Sequence, residues 1–147
     1  MTDIASITLW HRRARPHPTE IDADIQIGVH LEEVCEMLDA MEGADPQTRN
    51  RIAVARQALA MLADGLKSKS YEVEIIDRVA LLDALCDQVV TSVGVAHCLH
   101  MQFDKGLDIV NTSNWSKFTE DGQPIFDANG KIKKGPRYTP PHLDECV

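Results

Sequence analysis

Aromatic side chains are scarce in this chain: two Trp, two Tyr and three Phe make up 5% of 147 residues. The core must therefore come from Ala, Val, Ile, Leu and Met, a set that suits helices. A surplus of positive charge is missing too. Fifteen Lys and Arg stand against 23 Asp and Glu, and the formal charge of −8 argues against nonspecific binding to nucleic acid or to an anionic membrane. No apolar run approaches the ~20 residues of a transmembrane span. A signal-type apolar stretch is not seen either, since Arg12, Arg13 and Arg15 follow the first apolar residues instead of preceding them. A cytoplasmic location is expected on that ground. The four cysteines, Cys35, Cys86, Cys98 and Cys146, fit no zinc spacing, and a chain this size folds without disulfides. Cys35 and Cys86 have apolar neighbours on helical segments and are expected to be small buried hydrophobes. Several catalytic templates are also lacking: a GxxxxGK[ST] phosphate loop, GxGxxG, a nucleophile elbow, and the Glu-x-x-His pairs of a di-iron bundle.

What is present is a 44% hydrophobic, 26% charged chain of single-domain length, able to bury roughly two-thirds of its unfolded surface. Residues 1–19 read as an N-terminal arm in which Pro16 and Pro18 disfavour helix. Thr19, followed by Glu20 and Asp22, caps a helix expected over Glu20–Met41. Leu31, Val34, Cys35, Leu38 and Met41 form its apolar stripe, and Gly43 stops it. Asp45-Pro46 opens a second helix whose stripe, Ile52, Ala55, Leu59 and Leu62, runs on to Gly65. A third, longest and most apolar, is expected from Glu72 to Met101 as the central helix of a bundle, and a fourth from Leu107 to Phe118. Residues 119–147 change character. DG, NG and GP dipeptides mark turns, Asp127-Ala128-Asn129-Gly130 suggests a small hairpin, and Lys131, Lys133, Lys134 and Arg137 make the segment locally basic. The expected fold class is all-α: a four-helix bundle-like domain over 1–147 with an irregular C-terminal arm.

Four acids stand inside the apolar helical segments. Glu33 and Glu36 lie in LEEVCEML, and Asp83 and Asp87 in LLDALCDQVV. Carboxylates three or four apart share a helix face, so two packed helices can aim four oxygen donors at one point. Mg²⁺ is held by such donors together with substrate phosphates. Asp83 and Asp87 sit at the edge of the arc made by Val79, Leu82, Cys86, Val90 and Val93, where a carboxylate is costly unless paired or metal-bound; a salt bridge with Arg78 or a wet face is the alternative. Beside Glu32 and Asp39, the Glu33–Glu36 pair is equally compatible with a solvated acidic face. In NTSNWSKF, Asn114 and Lys117 are i, i+3 neighbours that Asn111 can join. They suit phosphate binding, or simply a helix end where the dipole favours Lys. Trp10, Trp115 and Phe118 are candidates to stack on a base or to pack.

In that order, EEVCEML, DALCDQVV and SNWSKF resemble the all-α nucleoside triphosphate pyrophosphohydrolases, the MazG-like group that includes phosphoribosyl-ATP pyrophosphohydrolase. WHRRARPHP and DGQPIFDANGKIKKGPRYTPPHL are similar to the arm and tail of its short phage and bacterial members. The resemblance covers nearly the whole chain, least of all residues 43–75. It implies a MazG-type fold and hydrolysis of a (deoxy)nucleoside triphosphate between the α and β phosphates to monophosphate and pyrophosphate. It also implies two or three Mg²⁺ ions, or Mn²⁺, on Glu33, Glu36 and Asp87. Many relatives have Glu-x-x-Asp in the second motif, where this chain has Ala84, so Asp83 is the substitute, and Glu32 is a further acid. Glu33 or Glu36 would take the proton of the attacking water. Asn114 and Lys117 match the phosphate-binding motif; Asn111 falls where relatives carry His. Lys131, Lys134 and Arg137 would close over the phosphates. The subgroup that acts on (d)GTP makes dGTP or GTP the expected substrate, with another dNTP or a non-canonical nucleotide as the alternative. Homodimers or homotetramers with sites at subunit interfaces are implied. The competing class is a non-enzymatic helical assembly module.

Overall fold

The computed structural model describes residues 4–147. Its regular elements are helical: α1 (Ile4–Ala14), α2 (Glu20–Asp39), α3 (Pro46–Lys67), α4 (Arg78–Cys98) and α5 (Phe103–Trp115), followed by a 3₁₀ turn at Asp144–Cys146. The protein is all-α, with no extended strand among the described residues. It divides into two compact units. One comprises Pro18–Val73 with Phe126–Lys131, and the other comprises the stretch up to His17, Glu74–Ile125 and Ile132–Val147.

The first unit is a helical hairpin of α2 and α3. Thr19 and Asp22 form a reciprocal capping box at the start of α2, satisfying backbone donors that the first turn leaves open. Asp45 accepts from the backbone N–H of Gln47 and Thr48, with Pro46 at the first helical position of α3. The helices run antiparallel, since Gly28 faces Ala63 and Leu66 while Asp39 takes a two-pronged ion pair from Arg56, both bonds 2.9 Å. Gly28 sets how closely they approach: a Cβ there would stand 2.8 Å from the Ala63 carbonyl oxygen. Gly65 does not stop α3, as the sequence suggested. The helix passes through it to Lys67, the Tyr71 ring lies where a Cβ at Gly65 would be, and the chain turns at Lys69, in the left-handed region at φ 62°.

In the second unit the arm is helical after all. α1 completes three turns before Pro16 and Pro18, which bar continuation, not initiation. α4 begins at Arg78, six residues later than expected, because the Asp77 carboxylate accepts from the N–H of Val79 and Ala80 and fixes the start there. Its C-terminus closes with the Met101 N–H on the Ala96 carbonyl and the His100 N–H on that of His97, His100 taking the left-handed conformation at φ 61° that glycine usually supplies. α5 starts at Phe103, not Leu107, with Gly106 inside it. Trp10 of α1 donates its indole N–H to the Asn114 carbonyl and stacks on Phe118 at 5.6 Å. The tail lies along α5: the Thr139 N–H bonds the Ser116 hydroxyl at one end, and the Gln102 N–H bonds the Cys146 carbonyl at the other.

Two expectations are corrected on α4. Instead of the buried centre of a bundle, it buries only Ala96 in the single chain, and Cys86 is exposed, whereas Cys35 on α2 is buried as expected. It is also one helix long and apolar enough, at 21 residues with an 18-residue stretch of mean hydropathy 1.6, to cross a membrane by length and composition alone. Reading the sequence only for uninterrupted apolar runs missed it, because Asp83 and Asp87 break the run without lowering the average enough.

Candidate functional site

α2 packs on α3 through Ile25, Gly28 and Cys35, which turns Glu33 and Glu36, three apart, toward solvent. Glu32 points elsewhere. Its carboxylate is only 29% exposed and sits between two ammoniums, Lys67 at 2.8 Å and Lys131 at 2.7 Å. Partial burial pushes the carboxyl up, but the hydrogen bonds and charges of Lys131 and Lys67 outweigh it and hold Glu32 below the ordinary 4.5. Lys131 extends from the turn at 127–131, where the Asp127 N–H meets the Lys131 carbonyl at 2.8 Å. This is the small hairpin the sequence suggested, reduced to its turn.

On α4, Asp83 and Asp87 stand one turn apart and both are exposed. The desolvation cost that singled them out in the sequence is therefore not incurred in the single chain. Among the described residues neither carboxylate makes an ion pair or hydrogen bond, and Arg78 does not pair with either. Within each unit taken by itself, no three His, Cys, Asp or Glu side chains among the described residues gather as a metal cage. Each acidic run offers a pair of hard oxygen donors. One or two carboxylates plus substrate phosphates is how Mg²⁺ is usually held, so the donor chemistry fits that ion without a cage.

α5 and the tail carry the other expected residues. Lys117 donates to the Asn114 side-chain oxygen at 2.7 Å, so the expected i, i+3 pair forms. Asn111, 8% exposed, donates to the Ser6 hydroxyl at 3.0 Å and helps join α1 to α5. Trp115 stands edge-on to Phe118, and Phe118 in turn stacks on Trp10, so the three rings considered for stacking on a base pack on one another. Lys134 lies 4.8 Å over the Tyr138 ring, and Arg137 is exposed beside it.

Sequence reasoning missed a groove of about 430 Å³ between α5 and the tail, lined by Asp108, Ile109 and Ser113 on one wall and Pro140 and His142 on the other. Its walls meet at the hydrogen bond between Ser116 and Thr139. No spacing rule brings a helix face and a tail segment some thirty residues away together; the one usable signal was the run of hydroxyls at Thr112, Ser113 and Ser116 on successive positions of one helix face. Comparison with known protein families, with characterised proteins and with solved structures finds no match.

Proposed function

We propose that the protein is a Mg²⁺-dependent nucleoside triphosphate pyrophosphohydrolase that cleaves between the α and β phosphates, with dGTP or GTP as substrate and dGMP or GMP plus pyrophosphate as products. The observation that carries this reading is the pair Asp83–Asp87: two exposed carboxylates one turn apart on a largely apolar helix, with no ion pair to either among the described residues. Glu33 and Glu36 make the second pair, and the resemblance of both motifs and of SNWSKF to the MazG-like enzymes supports the reaction. Mn²⁺ can replace Mg²⁺, whose contribution when bound is positive charge against the phosphate oxygens. Glu33 or Glu36 takes the proton of the attacking water. Lys117, oriented by Asn114, holds phosphate oxygens, assisted by Lys134 and Arg137; Lys131 joins them only by leaving Glu32.

The acting form is a homodimer or homotetramer in the cytoplasm. α4 leaves Val79, Leu82 and Val90 at 63–80% exposure, an amount of apolar surface that water opposes. A second copy is the cover that fits. A bilayer would have to take Asp83 and the near-central Asp87, each costing about 3 kcal/mol at mid-membrane. The eight large apolar residues exposed along the helix offer an area of the order of the ~800 Å² per partner that a standard interface buries.

Pyrophosphate release from a panel of nucleoside triphosphates with Mg²⁺ tests the reaction. Asp87→Asn and Glu36→Gln are expected to lose at least ~100-fold in rate, the effect of removing several kcal/mol of charge stabilisation. Full activity in either variant rules the assignment out. Mg²⁺ should raise the melting temperature, more so with triphosphate present; a purely structural assembly module would show neither effect.

A further inference from the structure

We propose that α4 pairs antiparallel with α4 of a second copy, across a two-fold axis at Cys86, an inference that rests on the homo-oligomer reading and supplies its geometry. Val79, Leu82, Cys86, Val90 and Val93 are all exposed and fall within an arc of about 80° on a helix of 3.6 residues per turn. Within its unit α4 packs on α5 alone among the described elements, which leaves this stripe uncovered. The intervals along the stripe are 3, 4, 4 and 3 residues, a pattern that reads the same from either end. An antiparallel two-fold contact needs that symmetry, because one patch must serve both partners with its direction reversed. Pairing about Cys86 sets Val79 of each copy against Val93 of the other, and Leu82 against Val90.

The two ends of the helix decide the direction. Ile76, just before α4, is 92% exposed, the highest value among the exposed large apolar residues. At the other end lies a cavity of about 240 Å³ among Ala96, Leu107, Val110 and Leu143, with room for an aliphatic side chain. Antiparallel pairing carries the Ile76 end of each copy to the cavity end of the other. Parallel pairing would lay Ile76 beside its own copy and leave both cavities unfilled. It would also align the two helix dipoles and set each aspartate level with the same aspartate of the second copy. In the antiparallel register each acid stands level with an apolar residue of the second copy, Asp83 with Val89 and Asp87 with Leu85. Both acids lie at one edge of the stripe, so they stay at the rim of the contact, where water reaches them.

Two thiols on α4 distinguish the arrangements: Cys86 and Cys98 are exposed, whereas Cys35 and Cys146 are buried. Cys98 lies twelve residues beyond Cys86, about 18 Å along the helix. An antiparallel pair therefore holds its two copies at opposite ends, and a parallel pair holds them side by side. The probe is a bismaleimide with a reach of about 10 Å, the spacing of packed helix axes. Cys98→Ser, which keeps Cys86, is expected to give a covalent dimer, and Cys86→Ser, which keeps Cys98, to lose it. In the Cys98→Ser chain, adding Leu82→Lys or Val90→Glu alone should abolish the cross-link. Mixing those two chains should restore it, because positions 82 and 90 face each other between antiparallel copies. The pairing is overturned if Cys86→Ser cross-links, if Cys98→Ser does not, or if the mixture recovers nothing. Flotation of the chain with phosphatidylcholine vesicles would also overturn it and give the face to a bilayer. Light scattering separates the pairing from the reading it rests on. An oligomer without the Cys86 cross-link sinks the pairing alone, and a monomer sinks both; pyrophosphate release tests the reaction independently of either.

Discussion

Glu32 shows how one carboxylate is diverted from a cluster by what surrounds it. Its neighbours in sequence, Glu33 and Glu36, stay at the surface, while Glu32 is drawn between Lys67 and Lys131. Such partly buried, charge-assisted bonds exceed ordinary surface pairs. Glu32→Gln should therefore lower stability by about 1 kcal/mol, read as a shift in the urea midpoint and reduced by added salt. Because the folded carboxyl is held below 4.5, its contribution is complete above that pH and is lost as pH falls through the folded value. Lys67, raised above 10.5 despite the opposing effect of burial, contributes below 10.5 and ceases to do so only in strong alkali. The acid limb of the stability curve should thus flatten in Glu32→Gln, and an unchanged acid limb would show that the triad contributes nothing. In sequence Glu32 was one of four acids on a short stretch; Lys67 and Lys131, thirty-five and ninety-nine residues on, distinguish it.

Elements, in contrast, were largely legible, because their boundaries are local chemistry. The caps at Thr19 and Asp45 act within three residues and were readable as such. α4 was misjudged at its start because its apolar pattern extends back past Asp77, and the carboxylate cap outweighs the pattern. The close approach of α2 to α3 was not readable: a glycine inside a helix looks like a weak point. Gly28→Ala tests that contact. On propensity alone alanine should stabilise the helix by about 1 kcal/mol, but its Cβ would meet the Ala63 carbonyl at 2.8 Å and Leu66 Cβ at 3.1 Å. A net loss of about 1–3 kcal/mol is expected, measured by chemical denaturation; a gain would mean the helices part freely.

At the scale of the whole molecule, α4 is the element that the single chain leaves unfinished. Leu82 and Val90 are 63% and 68% exposed, so Leu82→Glu and Val90→Glu should leave helix content intact while converting the proposed homo-oligomer to monomer, as read by light scattering. A parent protein that is already monomeric would contradict the second copy as its cover. Helix content, the caps and the two acidic pairs were determined by the sequence itself, since each depends on residues within about one helical turn. Only the tertiary structure decided that the expected central helix is bare, that Glu32 is tied to two lysines, that Trp10, Trp115 and Phe118 pack on one another, and that α5 and the tail enclose Ser113. Those outcomes depend on which distant segments come within bonding distance, and hydrophobic pattern specifies that a face is buried without naming its partner.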